Sequence, residues 1–395
     1  MRGKKKVGII THFYNTINYG GILQAYALCR YLRQSGIDAE QICYGENDTT
    51  NVSFLSRLAN STPKRVFRKG KSTLYRIYCQ KIKTEEYVLF QRTIAERHTK
   101  FRLFSERLVP HSTRVFDDST IMECIDNYDA FVTGSDQVWN FSYFRPAYFL
   151  GFVSDSKPKY AYAASMGSTE LTAEQWDFLR ENLDRFNAIS VREESTATKL
   201  QEILQKPVAA VVDPTLLLSC DEWEELCQEQ IINDKYLFCY FISYNMRSRE
   251  LAKEFAKQHH LQIVAVYMSN DECVFRDMGF ADIVINADPA EFLALIRFAD
   301  FIFTDSFHAV IFSNMFEKQY VVFKRNEKDK TYSRIFDLSH LMGTEERCCF
   351  DDERTTIDYI DTLKKIKYQQ PLLVSAITFS REYIKKQIVN NEISI

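Results

Sequence analysis

Short apolar segments with the composition of buried β-strands alternate with helical segments along most of the chain. Val7–Thr11 is predicted to form a strand and Asn18–Gly21 a glycine-containing loop. Ile22–Arg33 follows with apolar residues at helical spacing, and Ile37–Tyr44 has the character of a second strand. Units of strand, loop, helix and strand build doubly wound parallel sheets, so the alternation predicts an α/β protein.

The length of the chain predicts more than one domain. Its 395 residues exceed what a single hydrophobic core usually supports. A second series of strands and helices begins near Asp221, after an Asp-Pro turn. We therefore predict a Rossmann-like domain over residues 1–215 with a basic helical insertion near 50–108, a second such domain over 216–375, and a C-terminal helix within 376–395 that packs back on the first domain.

The segment Arg57–Arg107 is strongly basic, although the chain as a whole is slightly acidic. It holds 14 Lys or Arg and four Glu, whereas the formal charge of the whole chain is −3. Apolar residues lie between these charges. Two interpretations stay open: the segment contacts phosphates or an anionic membrane surface, or it is a helical face exposed to water.

Cysteine usage and hydropathy exclude several classes of protein. The ten cysteines include no CxxC pair, which favours a reducing cytosol over a disulfide framework and gives no zinc-ligand spacing. The N-terminus has no signal-peptide core, and no apolar run of about 18 residues is present. The net charge gives no general attraction to nucleic acid. We expect a cytoplasmic protein without a metal or a cofactor.

Polar clusters follow predicted strands at four places, where open α/β sheets bind ligands. Gly20 and Gly21 precede a helix, whose N-terminus attracts anions. Asp136 is a candidate acid, base or hydroxyl-binding group. Arg192 is suited to two-bond contact with a carboxylate or phosphate, and His308 lies in the first turn of a helix beside Ser306.

Each cluster also has a purely structural interpretation. The glycines can form a turn, Asp136 can cap a helix, Arg192 can pair with a neighbouring glutamate, and His308 can simply be packed. Their shared position favours function, because polar clusters at strand ends in two domains predict a cleft between the domains. Such a cleft suits a small anionic ligand, but the pattern does not identify the reaction.

Six segments, in chain order, carry a family resemblance: NYGGILQAYAL at 18–28, FVTGSDQVWN at 131–140, YAASMG at 162–167, SVREES at 190–195, VVDPTLLL at 211–218 and TDSFHAVIFS at 304–313. Together they resemble the polysaccharide pyruvyl transferase family over roughly residues 5–340. The resemblance implies a GT-B-like fold with two Rossmann-like domains facing a cleft. It also implies transfer of a pyruvyl group from phosphoenolpyruvate to a sugar of a bacterial surface polysaccharide, forming a ketal.

The resemblance also suggests roles for individual residues. It implies that Arg192 holds the anionic donor and that His308 lies at the reacting centre. The Gly20-Gly21 backbone and the helix that begins near Ser306 are further donor-binding candidates, and Asp136 and His308 are the candidate acid and base, without an assignment of which is which. The acceptor-binding candidates are Asn18, Tyr19, Gln24, Trp139 and Asn140.

Two other functions stay open. One is a glycosyltransferase that uses a nucleotide sugar in the same fold, since a fold does not determine a reaction. The other is a noncatalytic glycan-binding protein. The carrier of the sugar is also open: a lipid diphosphate at the inner face of the cytoplasmic membrane, a nucleotide or a polymer. Of these, the basic segment favours the lipid-linked form.

Overall fold

The computed structural model describes residues 4–45, 84–167, 170–266, 279–325, 332–350, 354–363, 367–368 and 370–390. The part of the predicted insertion before Thr84 lies outside these residues. Within them, two parallel sheets with alternating helices confirm the predicted fold class, two Rossmann-like halves of the GT-B type.

The first sheet takes its strands from residues 6–210. They are β1 (Lys6–Ile10), β2 (Asp38–Tyr44), β3 (His111–Phe116), β4 (Ala130–Thr133), β5 (Lys159–Ala164), β6 (Ala188–Val191) and β7 (Val208–Ala210). The helices are α1 (Tyr19–Gln34), α2 (Thr84–Leu108), α3 (Ala173–Leu183) and α4 (Glu194–Leu204). The strand order is β3-β2-β1-β4-β5-β6-β7. Every residue of β4 and β5 is buried, as expected for parallel strands covered by helices on both faces.

The second sheet takes its strands from residues 236–349. They are β8 (Tyr236–Tyr240), β9 (Gln262–Val266), β10 (Ile283–Ile285), β11 (Phe301–Thr304), β12 (Tyr320–Phe323) and β13 (Cys348–Cys349). The helices from Cys220 onward are α5 (Cys220–Glu224), α6 (Met246–His259), α7 (Pro289–Arg297), α8 (Phe307–Met315), α9 (Tyr332–Met342), α10 (Ile357–Thr362) and α11 (Pro371–Tyr383). The strand order is β10-β9-β8-β11-β12-β13. The predicted boundary between residues 215 and 216 lies between the two sheets and stays a prediction.

Both sheets reverse their strand order at one place, and ligands of open α/β sheets bind beside that place. In the first sheet the reversal lies between β1 and β4, so the loops that follow these strands flank a crevice. In the second sheet it lies between β8 and β11. The predicted polar clusters around Gly20, Asp136 and His308 follow β1, β4 and β11, three of these four strands.

The two domains share a continuous apolar core. Tyr19 of the first domain stacks on Phe292 of the second with ring centroids 4.0 Å apart, and its hydroxyl donates to the carbonyl of Ala287 at 2.8 Å. An ion pair of 2.8 Å between Lys100 and Glu291 lies at the same interface. These contacts position the strand ends of one domain against those of the other.

The C-terminal helix contacts the first domain. Helix α11 continues as a π-helical turn, Ile384–Val389. The Ser380 hydroxyl accepts a hydrogen bond from the backbone amide of Val212, and Arg381 donates to the carbonyl of Leu217 at 2.7 Å. These two hydrogen bonds fix the backbone on either side of Asp213, in the segment that follows β7.

Candidate active site

The helix-starting loops of the two domains interlock at the cleft. Gly20 lies in the first turn of α1, and the ring of His308 lies in the first turn of α8. A methyl group added at Gly20 would lie 2.0 Å from Nδ1 of His308. The glycine is therefore required to make room for an imidazole from the other domain.

Arg192 follows β6 and is buried between four partners. One terminal nitrogen donates to Oδ2 of Asp213 at 3.0 Å, and Nε lies 3.5 Å from a carboxylate oxygen of Glu193. The other terminal nitrogen lies 3.9 Å from Asp136. The guanidinium also covers the ring of Phe307, 4.4 Å from its centroid. Only 4% of the side chain is exposed, yet Nε has no hydrogen-bond partner of acceptable geometry.

Asp213 connects the arginine of one domain with the histidine of the other. Its Oδ1 accepts hydrogen bonds from the amide and hydroxyl of Thr215, at 3.0 and 2.7 Å. Its Oδ2 lies 3.0 Å from Arg192 and 3.5 Å from Nε2 of His308. Burial alone would raise the pKa of Asp213, but His308 and Arg192 outweigh it and hold that pKa well below its usual range. The carboxylate is therefore ionised and joins the two domains.

His308 is presented by a capped helix end. The Ser306 hydroxyl caps α8 by accepting from the amide of Ala309, and His308 is the second residue of the helix. The ring lies between Gly20 and Asp213, with 11% of the side chain exposed. Its Nε2 is at ion-pair distance from Asp213 but lacks the geometry of a hydrogen bond.

Asp136 lies in the loop after β4 with a left-handed backbone (φ 66°), which is uncommon for a residue other than glycine. Its carbonyl accepts from the amides of Val138 and Ser165, which fix the loop. Burial raises the pKa of Asp136, but the positive charges of Arg192 and His308 outweigh that effect and lower it. The carboxylate is therefore an anion that faces the same cations as Asp213.

Two further residues of this cluster, His12 and Arg334, were not predicted from the sequence. His12 follows β1; its Nε2 lies 3.1 Å from the carbonyl of Gln137 and its Nδ1 lies 3.2 Å from the hydroxyl of Tyr148. Arg334 lies on α9 and has 6% of its surface exposed. The strand-end position of His12 was a usable signal, whereas nothing in the local sequence distinguishes Arg334.

Three predicted acceptor-binding residues have structural roles instead. Tyr19 and Gln24 have no exposed surface, and Trp139 has 1%. Tyr19 belongs to the interdomain core, and Gln24 ties Thr11, Gly21 and Ser135 together. The indole of Trp139 donates to the carbonyl of Tyr148. Complete burial leaves no surface with which these three side chains could contact a sugar, so their assignment is corrected.

The other two acceptor candidates lie nearer the surface. Asn18 is exposed, and its side chain caps α1 by accepting from the amide of Gly21 at 3.3 Å. Asn140 is half-buried; it donates to the side chain of Gln137 at 2.6 Å and accepts from the amide of Ser142. Both retain partial access to solvent, and their contact with an acceptor stays a prediction.

The predicted donor-binding groups other than Arg192 are largely engaged within the protein. The amide of Gly21 donates to Asn18, and a methyl group at Gly21 would lie 2.9 Å from the carbonyl oxygen of His12. The Ser306 hydroxyl is occupied as a helix cap. The glycines are thus explained by close packing, and contact of these groups with a donor stays a prediction.

No group of three or more His, Cys, Asp or Glu side chains within the described residues is arranged to hold a metal ion. No helix in this part of the chain combines the length and apolar character needed to cross a membrane.

Comparison with known proteins gives one family and one fold. A family profile described as polysaccharide pyruvyl transferase matches residues 18–327. The UDP-GlcNAc 2-epimerase of Methanocaldococcus jannaschii superposes with a TM-score of 0.52 at 13% identity, covering 96% of this chain and 99% of that one. A candidate UDP-N-acetylglucosamine 2-epimerase of Listeria monocytogenes gives 0.51 at 10% identity, covering 98% and 97%. A search of curated sequences finds no significant match. At these identities the structural likeness shows the fold alone.

Proposed function

The chain belongs to the polysaccharide pyruvyl transferase family, and from this premise we propose that it moves a pyruvyl group from phosphoenolpyruvate onto two hydroxyls of a sugar. The observation that carries the proposal is the convergence of Arg192, Asp136 and His308. These residues come from three different strand ends in two domains, and Asp213 joins two of them directly. A buried cation beside an imidazole and an ionised carboxylate suits an anionic enol phosphate, which needs its negative charges held and protons delivered and accepted.

The donor would be held through its negative charges. Phosphoenolpyruvate carries a carboxylate and a phosphate, and Arg192 has an unpartnered Nε at the cleft. The low exposure of this arginine strengthens its interaction with an anion, because little water competes with it. The helix ends at Gly20-Gly21 and Ser306 would add a favourable dipole, although the amide of Gly21 and the hydroxyl of Ser306 are engaged as caps.

The reaction needs an acid that delivers a proton to the donor's methylene carbon and a base that accepts a proton from each attacking hydroxyl. Protonation of the donor's methylene carbon makes the adjacent carbon electrophilic, and a sugar hydroxyl attacks it. Phosphate leaves, and a second hydroxyl closes the ketal at the same carbon. The two hydroxyl protons balance the proton added to the methylene carbon and the proton taken by phosphate.

We assign the acid to His308 and the base to Asp136. The surrounding cations keep Asp136 ionised, which suits it to accept a proton from a hydroxyl and not to deliver one to carbon. His308 has Asp213 at 3.5 Å, which orients the ring and balances its positive charge when it is protonated. No metal or organic cofactor is part of this proposal.

The acceptor that we propose is a sugar of a bacterial surface polysaccharide such as a capsule or exopolysaccharide, carried on a lipid diphosphate at the cytoplasmic face of the membrane. The support is the basic segment Arg57–Arg107, of which residues 57–83 lie outside the described residues. In the described part, Arg97 covers the ring of Tyr19 at 4.7 Å and Lys100 pairs with Glu291, so these two charges serve the domain interface. These two side chains are therefore not available to a membrane surface.

Vesicle binding tests the membrane part separately. The full chain should sediment with vesicles that contain anionic lipid, and less so at high salt, because salt screens exposed charges. Equal and negligible binding to neutral and anionic vesicles would contradict membrane contact. It would favour a soluble or nucleotide-linked sugar as acceptor.

Phosphate release tests the reaction class. The purified chain should release phosphate from phosphoenolpyruvate only when a suitable glycan acceptor is added. Release of nucleotide from a sugar nucleotide, without any need for phosphoenolpyruvate, would instead identify a glycosyltransferase. The absence of both activities across a panel of acceptors, while the protein still binds glycan, would identify a noncatalytic binding protein.

A further inference from the structure

Arg334 is a buried cation beside the cleft that no role described so far uses. Its side chain, on α9, lines a cavity of about 620 Å³ together with Arg192, Asp213 and Phe307. With 6% of its surface exposed, its Nε has no hydrogen-bond partner. Within the described residues, its guanidinium makes no hydrogen bond and no ion pair. Buried charges are costly unless they are paired, so this arrangement favours the binding of an anion.

The electrostatic surroundings of Arg334 favour the same conclusion. Burial and the positive charge of Arg192 together lower the pKa of Arg334 to about 10, and Arg325 acts in the same direction. Glu193 and Asp136 oppose this effect. Two guanidinium groups that repel each other in a largely buried site are stabilised when an anion lies between them.

The carboxylates near Arg334 only partly balance it. Glu193 already accepts from the hydroxyl of Ser165 at 2.6 Å and lies 3.5 Å from Nε of Arg192. Its second oxygen has no hydrogen-bond partner, so a direct pair with Arg334 is the competing explanation. Glu194, Asp337 and His340 also line the cavity, and all three belong to its exposed rim.

We propose that Arg334 and Arg192 together form the donor site, one binding the carboxylate and the other the phosphate of phosphoenolpyruvate. This rests on the proposed function and replaces the Gly20-Gly21 and Ser306 groups as the second anion contact. Two planar guanidinium groups match two planar or tetrahedral anions with paired hydrogen bonds. The ring of Phe307 and the apolar walls around Leu216 and Leu338 exclude water and strengthen both contacts.

The test compares three variants of the full chain: Arg334→Met, Arg334→Lys and the control Arg180→Met. Arg180 is a surface arginine in the first domain, 57% exposed and paired with Asp177. The measurements are the dissociation constant for phosphoenolpyruvate by calorimetry, its KM in the phosphate-release assay, and the melting temperature without ligand.

The proposal predicts a specific combination of results. Arg334→Met should weaken binding of phosphoenolpyruvate and raise its KM by roughly ten- to a hundredfold, the range for losing a hydrogen bond to a charged group. Arg334→Lys should recover part of that loss, because it keeps the charge without the planar fork. The melting temperature without ligand should stay unchanged or rise in Arg334→Met, since repulsion from Arg192 is removed. Arg180→Met should behave as the unmodified chain.

Other outcomes overturn the proposal in distinguishable ways. Unchanged donor binding in Arg334→Met would refute it while leaving the proposed function intact. If that variant also melted at a lower temperature, Arg334 would be the structural partner of Glu193. If the unmodified chain bound no phosphoenolpyruvate, the proposed function itself would fail. Inorganic pyrophosphate would then show whether the arginine pair binds anions from another source, such as a carrier diphosphate.

Discussion

The first turns of α1 and α8 have the same cap and the same aromatic position, but they present different side chains to the cleft. We call residues Asn18–Gly21 the first junction and Ser306–Ala309 the second junction. Each has a polar N-cap whose side chain accepts from the amide three residues later. Each places an aromatic ring next, and each ring reaches the opposite domain: Tyr19 stacks on Phe292, whereas Phe307 lies under Arg192.

The difference lies in the following residue. The first junction has Gly20 there and the second has His308, and the imidazole occupies the space that the glycine leaves. The first junction thus leaves room, and the second fills it with the imidazole for which we propose the acid role. A capped helix at a strand end does not by itself mark a candidate catalytic group, because the side chain that faces the opposite domain differs between the two junctions.

Asp213 connects the second junction to the first domain, and removal of its charge should have the largest effect on the free energy of unfolding. Asp213→Asn leaves Arg192 and His308 without their shared anion in a buried site. We expect a loss of about 3 to 5 kcal/mol in the free energy of unfolding at pH 7. Chemical denaturation measures this directly.

The same variant gives a pH signature. Because the pKa of Asp213 is lowered in the folded protein, its stabilisation is present above the usual carboxyl range. It disappears as the pH falls below about 4 toward the lowered value. The difference between the unmodified chain and Asp213→Asn should therefore stay constant above about pH 5 and shrink progressively as the pH falls below about 4. A difference that does not change with pH would show that the carboxylate is not ionised in these contacts.

The imidazole itself should matter for rate and not for folding. His308→Ala is expected to reduce turnover by roughly a hundredfold or more, as for the loss of an acid or an anion contact. His98→Ala, on the exposed side of α2, is a suitable control. Near-normal turnover in a folded His308→Ala protein would place the chemistry elsewhere.

The reciprocal change at the first junction should act through the same ring. In Gly20→Ala the new methyl group would overlap Nδ1 of His308, so we expect a loss of about 1 to 3 kcal/mol of stability. In the His308→Ala background this cost should vanish, which a double-mutant cycle measures. Gly151→Ala is the matched control, since an added methyl group there meets nothing within 4 Å. If the two changes had additive effects on stability, the proposed contact between Gly20 and His308 would be contradicted.

The aromatic ring of the second junction packs against Arg192, and even a conservative substitution of that arginine should change KM for phosphoenolpyruvate. Arg192→Lys keeps the charge but loses the planar group that covers Phe307 and contacts Asp213. We expect KM for phosphoenolpyruvate to rise by roughly tenfold, the equivalent of about 1.4 kcal/mol. Unchanged donor saturation would make Arg192 a structural ion-pair partner only.

Most of the fold could be predicted because strand ends and helix starts leave local signals. The apolar runs that became β1, β4, β6 and β11 are short and buried, and polar motifs follow them directly. Strand β3 was missed because His111–Phe116 begins with four polar residues, HSTR, beside a basic helix and has only two apolar residues at its end. Strand β13 has two residues, too few to form a pattern.

The site was predictable only where a residue follows a strand. Arg192, Asp136 and His308 have that position, and so does His12, which was overlooked in favour of the glycines that follow it. Arg334 lies inside a helix and enters the cleft only through the packing of α9, which no local pattern encodes. The burial of Tyr19 and Trp139 could not be predicted from the sequence either, because an aromatic ring with a polar atom suits a core and a sugar-binding site alike.

The most direct test of pyruvyl transfer follows the pyruvyl group itself. The full chain is incubated with phosphoenolpyruvate labelled in its carbon skeleton and with candidate glycan acceptors, and the acceptors are weighed by mass spectrometry. We expect an acceptor that gains one labelled pyruvate less one water, in step with the phosphate released, and no such gain with His308→Ala. An acceptor that gains an unlabelled sugar, or label transferred equally well by His308→Ala, would contradict it.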